Sequence, residues 1–131
     1  MDGQTILISY DELKILLYNR GFRSCEGILM PDEERSDEEV LQAMNKLANR
    51  GMIVAKEEYF AVTPETAKMV DLIGAPDSSY SFSDENTGQV YYCYLSDEMV
   101  VVTSKYWNKK DMLRIRTFTP EEYRIWREEI V

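Results

Sequence analysis

The sequence predicts an α+β fold: helices and a hairpin in the N-terminal part, then an antiparallel β-meander and a C-terminal helix. Three observations carry this reading. Ser or Thr residues followed by Glu three positions later stand before apolar stripes of helical spacing, at Ser9/Glu12, Ser36/Glu39 and Thr119/Glu122. After residue 80 the apolar period shortens to that of strands. Asp, Asn, Gly, Ser and Lys fill the gaps between those strands, as turns require.

Taken in order, residues 5–8 form a short apolar run that reads as a strand. Ser9 and Glu12 then announce a helix over 10–20, with Leu13, Leu16, Leu17 and Arg20 along one side and Gly21 as the left-handed stop. Residues 22–35 read as a loop or a partial helical turn, with 28–30 dipping into the core. Ser36 and Glu39 open a second helix, striped by Val40, Met44, Leu47 and Ala48 and ended by Gly51. Runs 52–55 and 59–62 should pair as a hairpin across Lys56, Glu57 and Glu58. Thr63 and Pro64 begin a helix to 73 whose inner positions are Ala67, Val70 and Ile73. Residues 75–79 are the best boundary, dividing the chain into 1–75 and 76–131, two parts expected to pack as one unit. Strands follow at 80–82, 89–95, 99–104 and 112–117, and a last helix carries Tyr123, Trp126 and Ile130 to pack on the sheet.

At 131 residues, 44% hydrophobic and 30% charged, the chain can build a core of ordinary size. No apolar run reaches the roughly 20 residues that cross a bilayer, and the first residues lack a basic and a long apolar signal region. A cytoplasmic protein is expected. Cys25 and Cys93 stand far apart, outside any CxxC pair, and read as two reduced thiols. With no histidine, the usual general base and the commonest transition-metal ligand are missing. There is no Gly-rich phosphate loop and no nucleophile elbow. No catalytic, cofactor-binding or metal-binding residue is therefore assigned, and the protein is expected not to be an enzyme.

The helix that ends in Asn49, Arg50 and Gly51, the two short strands and the helix opened by Thr63 resemble, over 40–73, the recognition helix and wing of winged-helix proteins. A duplex reader of that kind needs positive charge at the helix start and the wing tip. Here Asp32, Glu33, Glu34, Asp37, Glu38 and Glu39 face one base, Arg35, and the wing tip sets Glu57 and Glu58 against Lys56. Together with a net charge of -9, this opposes nucleic-acid binding. The acids read either as a solvated loop with favourable charge at a helix N-terminus or as an acidic docking face. They lack the alternating ligands and central glycine of a calcium loop.

Charge reverses toward the C-terminus, where Lys105, Lys109, Lys110, Arg114, Arg116, Arg124 and Arg127 outnumber Asp111, Glu121 and Glu122. Such a distribution can orient an encounter with a partner or a second copy. Alternation in 112–117 sets Arg114 and Arg116 on one strand face and Leu113 and Ile115 on the other, so a polar face is expected to lie open. Tyr92, Tyr94, Tyr106, Trp107, Arg114 and Arg116 are the candidate partner-binding residues, being types favoured in binding hot spots. Core packing is the competing reading for the aromatics.

The order of elements, with Leu47, Asn49, Arg50, Gly51 and Met52, then Val62, Thr63 and Pro64, then Leu72, Ile73, Ala75 and Pro76 leading into the strands, resembles one half of the EspG-type chaperones of bacterial type VII (ESX) secretion. The resemblance spans 9–131 in layout. It implies an α+β protein without enzymatic activity that shields a secretion substrate in the cytosol. A chain supplying one half would need a homodimer, or a different grip. The leading expectation is a protein-binding adaptor of chaperone type. The alternative is a winged-helix regulator acting through a dimer or a partner.

Overall fold

The structure, a computed structural model, describes residues 4–28 and 34–130. In chain order the elements are β1 (Gln4–Ser9), α1 (Tyr10–Asn19), α2 (Asp37–Asn49), β2 (Ile53–Ala55), β3 (Phe60–Val62), α3 (Pro64–Gly74), β4 (Ser78–Ser83), β5 (Val90–Leu95), β6 (Val100–Lys105), β7 (Met112–Phe118) and α4 (Pro120–Ile130). The fold is α+β, with a five-stranded antiparallel sheet, a two-stranded sheet and four helices among the described residues. Tyr10–Gly74 forms one compact unit. Strand β1, with the chain from Ala75 onward, forms the other, so the N-terminal strand leaves the half in which the sequence reading placed it.

In the helical unit, local chemistry sets the ends of the helices. The Ser36 hydroxyl accepts from the Glu39 amide at 3.2 Å while the Ser36 amide donates to the Glu39 carboxylate at 3.2 Å, closing the capping box of α2. That contact holds the Glu39 carboxyl below its ordinary range. Both α1 and α2 stop in the same way. Gly21 (φ 90°) and Gly51 (φ 75°) take the left-handed conformation, and Phe22 and Met52 donate back to Leu17 (2.8 Å) and Leu47 (3.0 Å). Thr63 accepts the amide of Ala67 on its carbonyl, and its hydroxyl donates to Met52, joining the start of α3 to the end of α2.

Buried Leu13, Leu16 and Leu17 from α1, Ala43 and Leu47 from α2, Ile53 from β2 and Val70 and Ile73 from α3 supply the apolar interior of this unit. The stripe on α2 is narrower than its spacing implies. Val40 and Ala48 are exposed and Met44 is half-buried, while Ala43 and Leu47 are the buried positions of the helix. Ile28 is buried as expected, whereas residues 29 and 30 lie outside the described residues. Arg20 clasps Asp71 with two hydrogen bonds of 2.8 Å, tying α1 to α3.

Gly74 ends α3 against the ring of Phe22, and a Cβ at Gly74 would stand 2.5 Å from the ring carbons. We expect Gly74→Ala to lose about 1–3 kcal/mol, the usual cost of overpacking. Urea unfolding measures it, and Phe22→Leu in the same chain should recover part of the loss.

In the second unit the sheet order is β1-β7-β6-β5-β4. Strands β4 to β7 follow one another as a meander, and β1 adds beside β7 with Gln4 opposite Thr117 and Ser9 opposite Met112. Helix α4 is capped by Thr119 and Glu122, whose amide and carboxylate contacts measure 3.2 and 2.8 Å. Its Tyr123 and Trp126 join Cys93, Val100, Val102 and Phe118 in one buried cluster, with Phe82, Tyr91, Leu95 and Ile130 around it. On the opposite strand faces Tyr94, Val101, Thr103, Leu113 and Ile115 are buried as well.

The expected open polar face is only partly present. Arg116 shares its face with Phe118, and its guanidinium lies 5.2 Å from the Phe118 ring and 5.4 Å from the Trp126 ring. Alternation in a strand assigns side chains to faces. It carries no information on whether a helix then covers one of them.

Candidate functional site

The six residues singled out from the sequence separate into three places. Tyr106, Trp107 and Arg114 come together at the connection between β6 and β7. Tyr92 and Tyr94 share one face of β5, opposite Thr103 and Val101 on β6. Arg116 belongs to the aromatic cluster under α4.

The β6–β7 connection is held by its backbone. The Tyr106 amide donates to the Met112 carbonyl at 3.0 Å and the Met112 amide to the Lys109 carbonyl at 3.3 Å. At its tip Trp107 is 77% exposed, more than any other large hydrophobic side chain among the described residues. Its ring lies 6.0 Å from that of Tyr106, and the Arg114 guanidinium sits 5.7 Å over the Tyr106 ring. Lys105, at the end of β6, and Lys109 and Lys110, in the connection, are exposed, with Asp111 as the one acid between Lys105 and Arg114. The result is an amphipathic, positively charged knob. Its indole and phenol can fill an apolar pocket while the cations meet carboxylates.

Tyr92 is half-buried, and Tyr94 is fully buried and serves packing. Nothing in the local sequence separates these two tyrosines, which have the same type and the same strand parity. Their positions in the finished sheet do.

The chemistry of the other candidate groups is quiet. The Tyr80 and Tyr123 hydroxyls are hydrogen-bonded to each other, and the Tyr123 hydroxyl donates to the Cys93 sulfur at 3.3 Å. Burial and these two contacts push the Tyr123 phenol far up. Burial also raises the Cys93 thiol, against the opposing effects of Tyr123 and Arg127, and lifts Cys25 to about 11. Neither cysteine is set up as a thiolate at neutral pH. Among the described residues no three His, Cys, Asp or Glu side chains converge to hold a metal ion, and no helix is long and apolar enough to cross a membrane.

Of the N-terminal acids, Asp32 and Glu33 lie outside the described residues. Asp11 takes a 3.1 Å contact from Arg35, and Glu39 is occupied by its cap. Glu12, read from the sequence only as the capping partner of Ser9, has a role that reading missed. Its side chain is 2% exposed and paired with Arg50 at 3.3 Å. The signal was present, since Glu12 stands one turn before Leu16 on the apolar side of α1.

Compared with models of known protein families the chain matches none, and no curated protein matches it either.

Proposed function

We propose that this protein is a non-enzymatic adaptor, chaperone-like in action, that holds another polypeptide in the cytoplasm through the Trp107 knob. The observation that supports this reading is the 77% exposed indole, set 6.0 Å from the tilted ring of Tyr106, which itself carries the Arg114 guanidinium, in a connection rich in exposed lysines. A large apolar surface kept in water gains most when a partner covers it, and Trp, Tyr and Arg dominate binding hot spots. The cations make the matching patch acidic. The resemblance to one half of an EspG-type chaperone points to a secretion substrate as the partner class, and to a homodimer if the two-sided grip of that family is used.

The test is affinity capture from the source cell, followed by binding measurements on the recovered partner. A specific polypeptide should be retained, and Trp107→Ala should weaken its binding by about 30-fold, equivalent to about 2 kcal/mol at a hot spot. Recovery of heat-shock proteins and ribosomes alone, or equal binding by the variant, would remove the support. The helix–hairpin–helix order of Tyr10–Gly74 keeps a winged-helix regulator acting through a dimer or a partner as the rival reading. Tight DNA binding in a gel shift at low salt would favour it over the adaptor.

A further inference from the structure

Strand β4 is an outer strand of the sheet, and five of its six residues are exposed. Its sequence, Ser78–Ser83, contains no charged residue and no proline, the two commonest devices that keep an edge from pairing. The direction of its free hydrogen-bonding groups follows from the ladder. The Asp84 amide donates to the Gln89 carbonyl at 2.8 Å, and residue 83 is opposite 90. Antiparallel pairs alternate between bonded and non-bonded. Phe82, Tyr80 and Ser78 therefore exchange bonds with β5, while Ser79, Ser81 and Ser83 turn their N–H and C=O groups to the open side.

Two further features surround this edge. Acids stand at both ends, Asp77 before the strand and Asp84 and Glu85 after it. Beside its C-terminal end lies a cavity of about 210 Å³ lined by Phe82, Ser83, Asp84, Glu85, Arg127 and Ile130. The Arg127 guanidinium is 3.6 Å from the centre of the Phe82 ring, so its charge is engaged on that face. The two carboxylates exceed it in number.

We infer that β4 accepts an extended polypeptide segment with basic residues at its flanks, which adds as a sixth strand and places one Lys or Arg side chain in the Phe82–Arg127 cavity. This deepens the adaptor reading and rests on it. The three outward serines supply main-chain hydrogen bonds without side-chain bulk, as strand addition requires. The aliphatic stem of the inserted side chain would lie along Phe82 and Ile130, with its cation at Asp84 and Glu85. Self-pairing of β4 with a second copy is disfavoured, because the antiparallel register centred on Ser81 sets Asp77 of one copy opposite Glu85 of the other.

The test is residue-resolved amide exchange on the full chain with two short synthetic peptides. Both alternate valine and threonine; one ends in lysines and the other in glutamates. The lysine peptide should slow exchange at Ser79, Ser81 and Ser83 by roughly tenfold, and the glutamate peptide should not. Ser81→Pro should abolish the effect while the β5 and β6 amides keep their protection. If that variant fails to fold, Asp77→Lys with Glu85→Lys should reverse the preference between the peptides without touching the ladder. Unchanged exchange at the three serines, equal effects of the two peptides, or protection that rises with protein concentration alone would overturn the inference. Loss of partner binding in Trp107→Ala is read independently, so failure at β4 leaves the Trp107 reading standing.

Discussion

Trp126→Ala should lower the unfolding free energy by about 3–5 kcal/mol, the range for removing a buried large aromatic side chain. The indole is 5% exposed and joins the helix to three strands. It meets Phe118 at 5.2 Å, Tyr91 at 5.3 Å, Phe82 and Tyr123 at 5.9 Å, and the Arg116 guanidinium at 5.4 Å. Each aromatic pair adds something beyond buried area, and the cavity left by truncation would strip contact from all of them. Urea unfolding followed by tyrosine fluorescence and far-ultraviolet dichroism measures the loss. Trp126→Phe should retain most of the stability, since it keeps a ring against Phe118 and Tyr91. A loss below about 1 kcal/mol for the alanine variant would mean that α4 is not seated on the sheet by this residue.

Arg50→Ala is the second large effect, expected at about 2–3 kcal/mol. Glu12 is a carboxylate held almost wholly out of water, with Arg50 reaching it at 3.3 Å on one oxygen and 3.5 Å on the other. Removing the guanidinium leaves a buried charge, which commonly costs about 3–5 kcal/mol. The Arg50 side chain is 35% exposed, so water can partly replace it and the lower figure applies. The double variant Glu12→Leu with Arg50→Ala should be more stable than Arg50→Ala alone, because the buried charge is then gone. A double-mutant cycle measures the coupling. If the two single losses simply add, the ion pair contributes nothing of its own.

What could be read from the sequence was local. Ser36/Glu39 and Thr119/Glu122 are capping boxes in the structure because the chemistry needs only neighbours three residues apart in the chain. Gly21 and Gly51 stop their helices for the same kind of reason. The long-range features were hidden. Strand β1 pairs with β7 across more than a hundred residues, and no turn signal marks that register. The fates of Arg116 and Tyr94 depended on which side chains α4 and the neighbouring strands brought over them. In the candidate site, Tyr106, Trp107 and Arg114 come together because only the short β6–β7 connection separates them in the chain, a grouping the sequence reading did not make when it named them with Tyr92, Tyr94 and Arg116. The free β4 edge could not be read from the sequence, since a strand's place in the sheet order is settled only when every partner has been chosen.

Polypeptide recognition through the exposed Trp107 knob remains a proposal that one measurement reaches directly. A photoreactive phenylalanine analogue placed at position 107, with a control at exposed Ile125 on α4, reads that contact in the source cell. A discrete polypeptide adduct should form from position 107 and not from position 125. Equal adducts from both positions, adducts from position 125 alone, or nucleic acid captured at position 107 would contradict the claim.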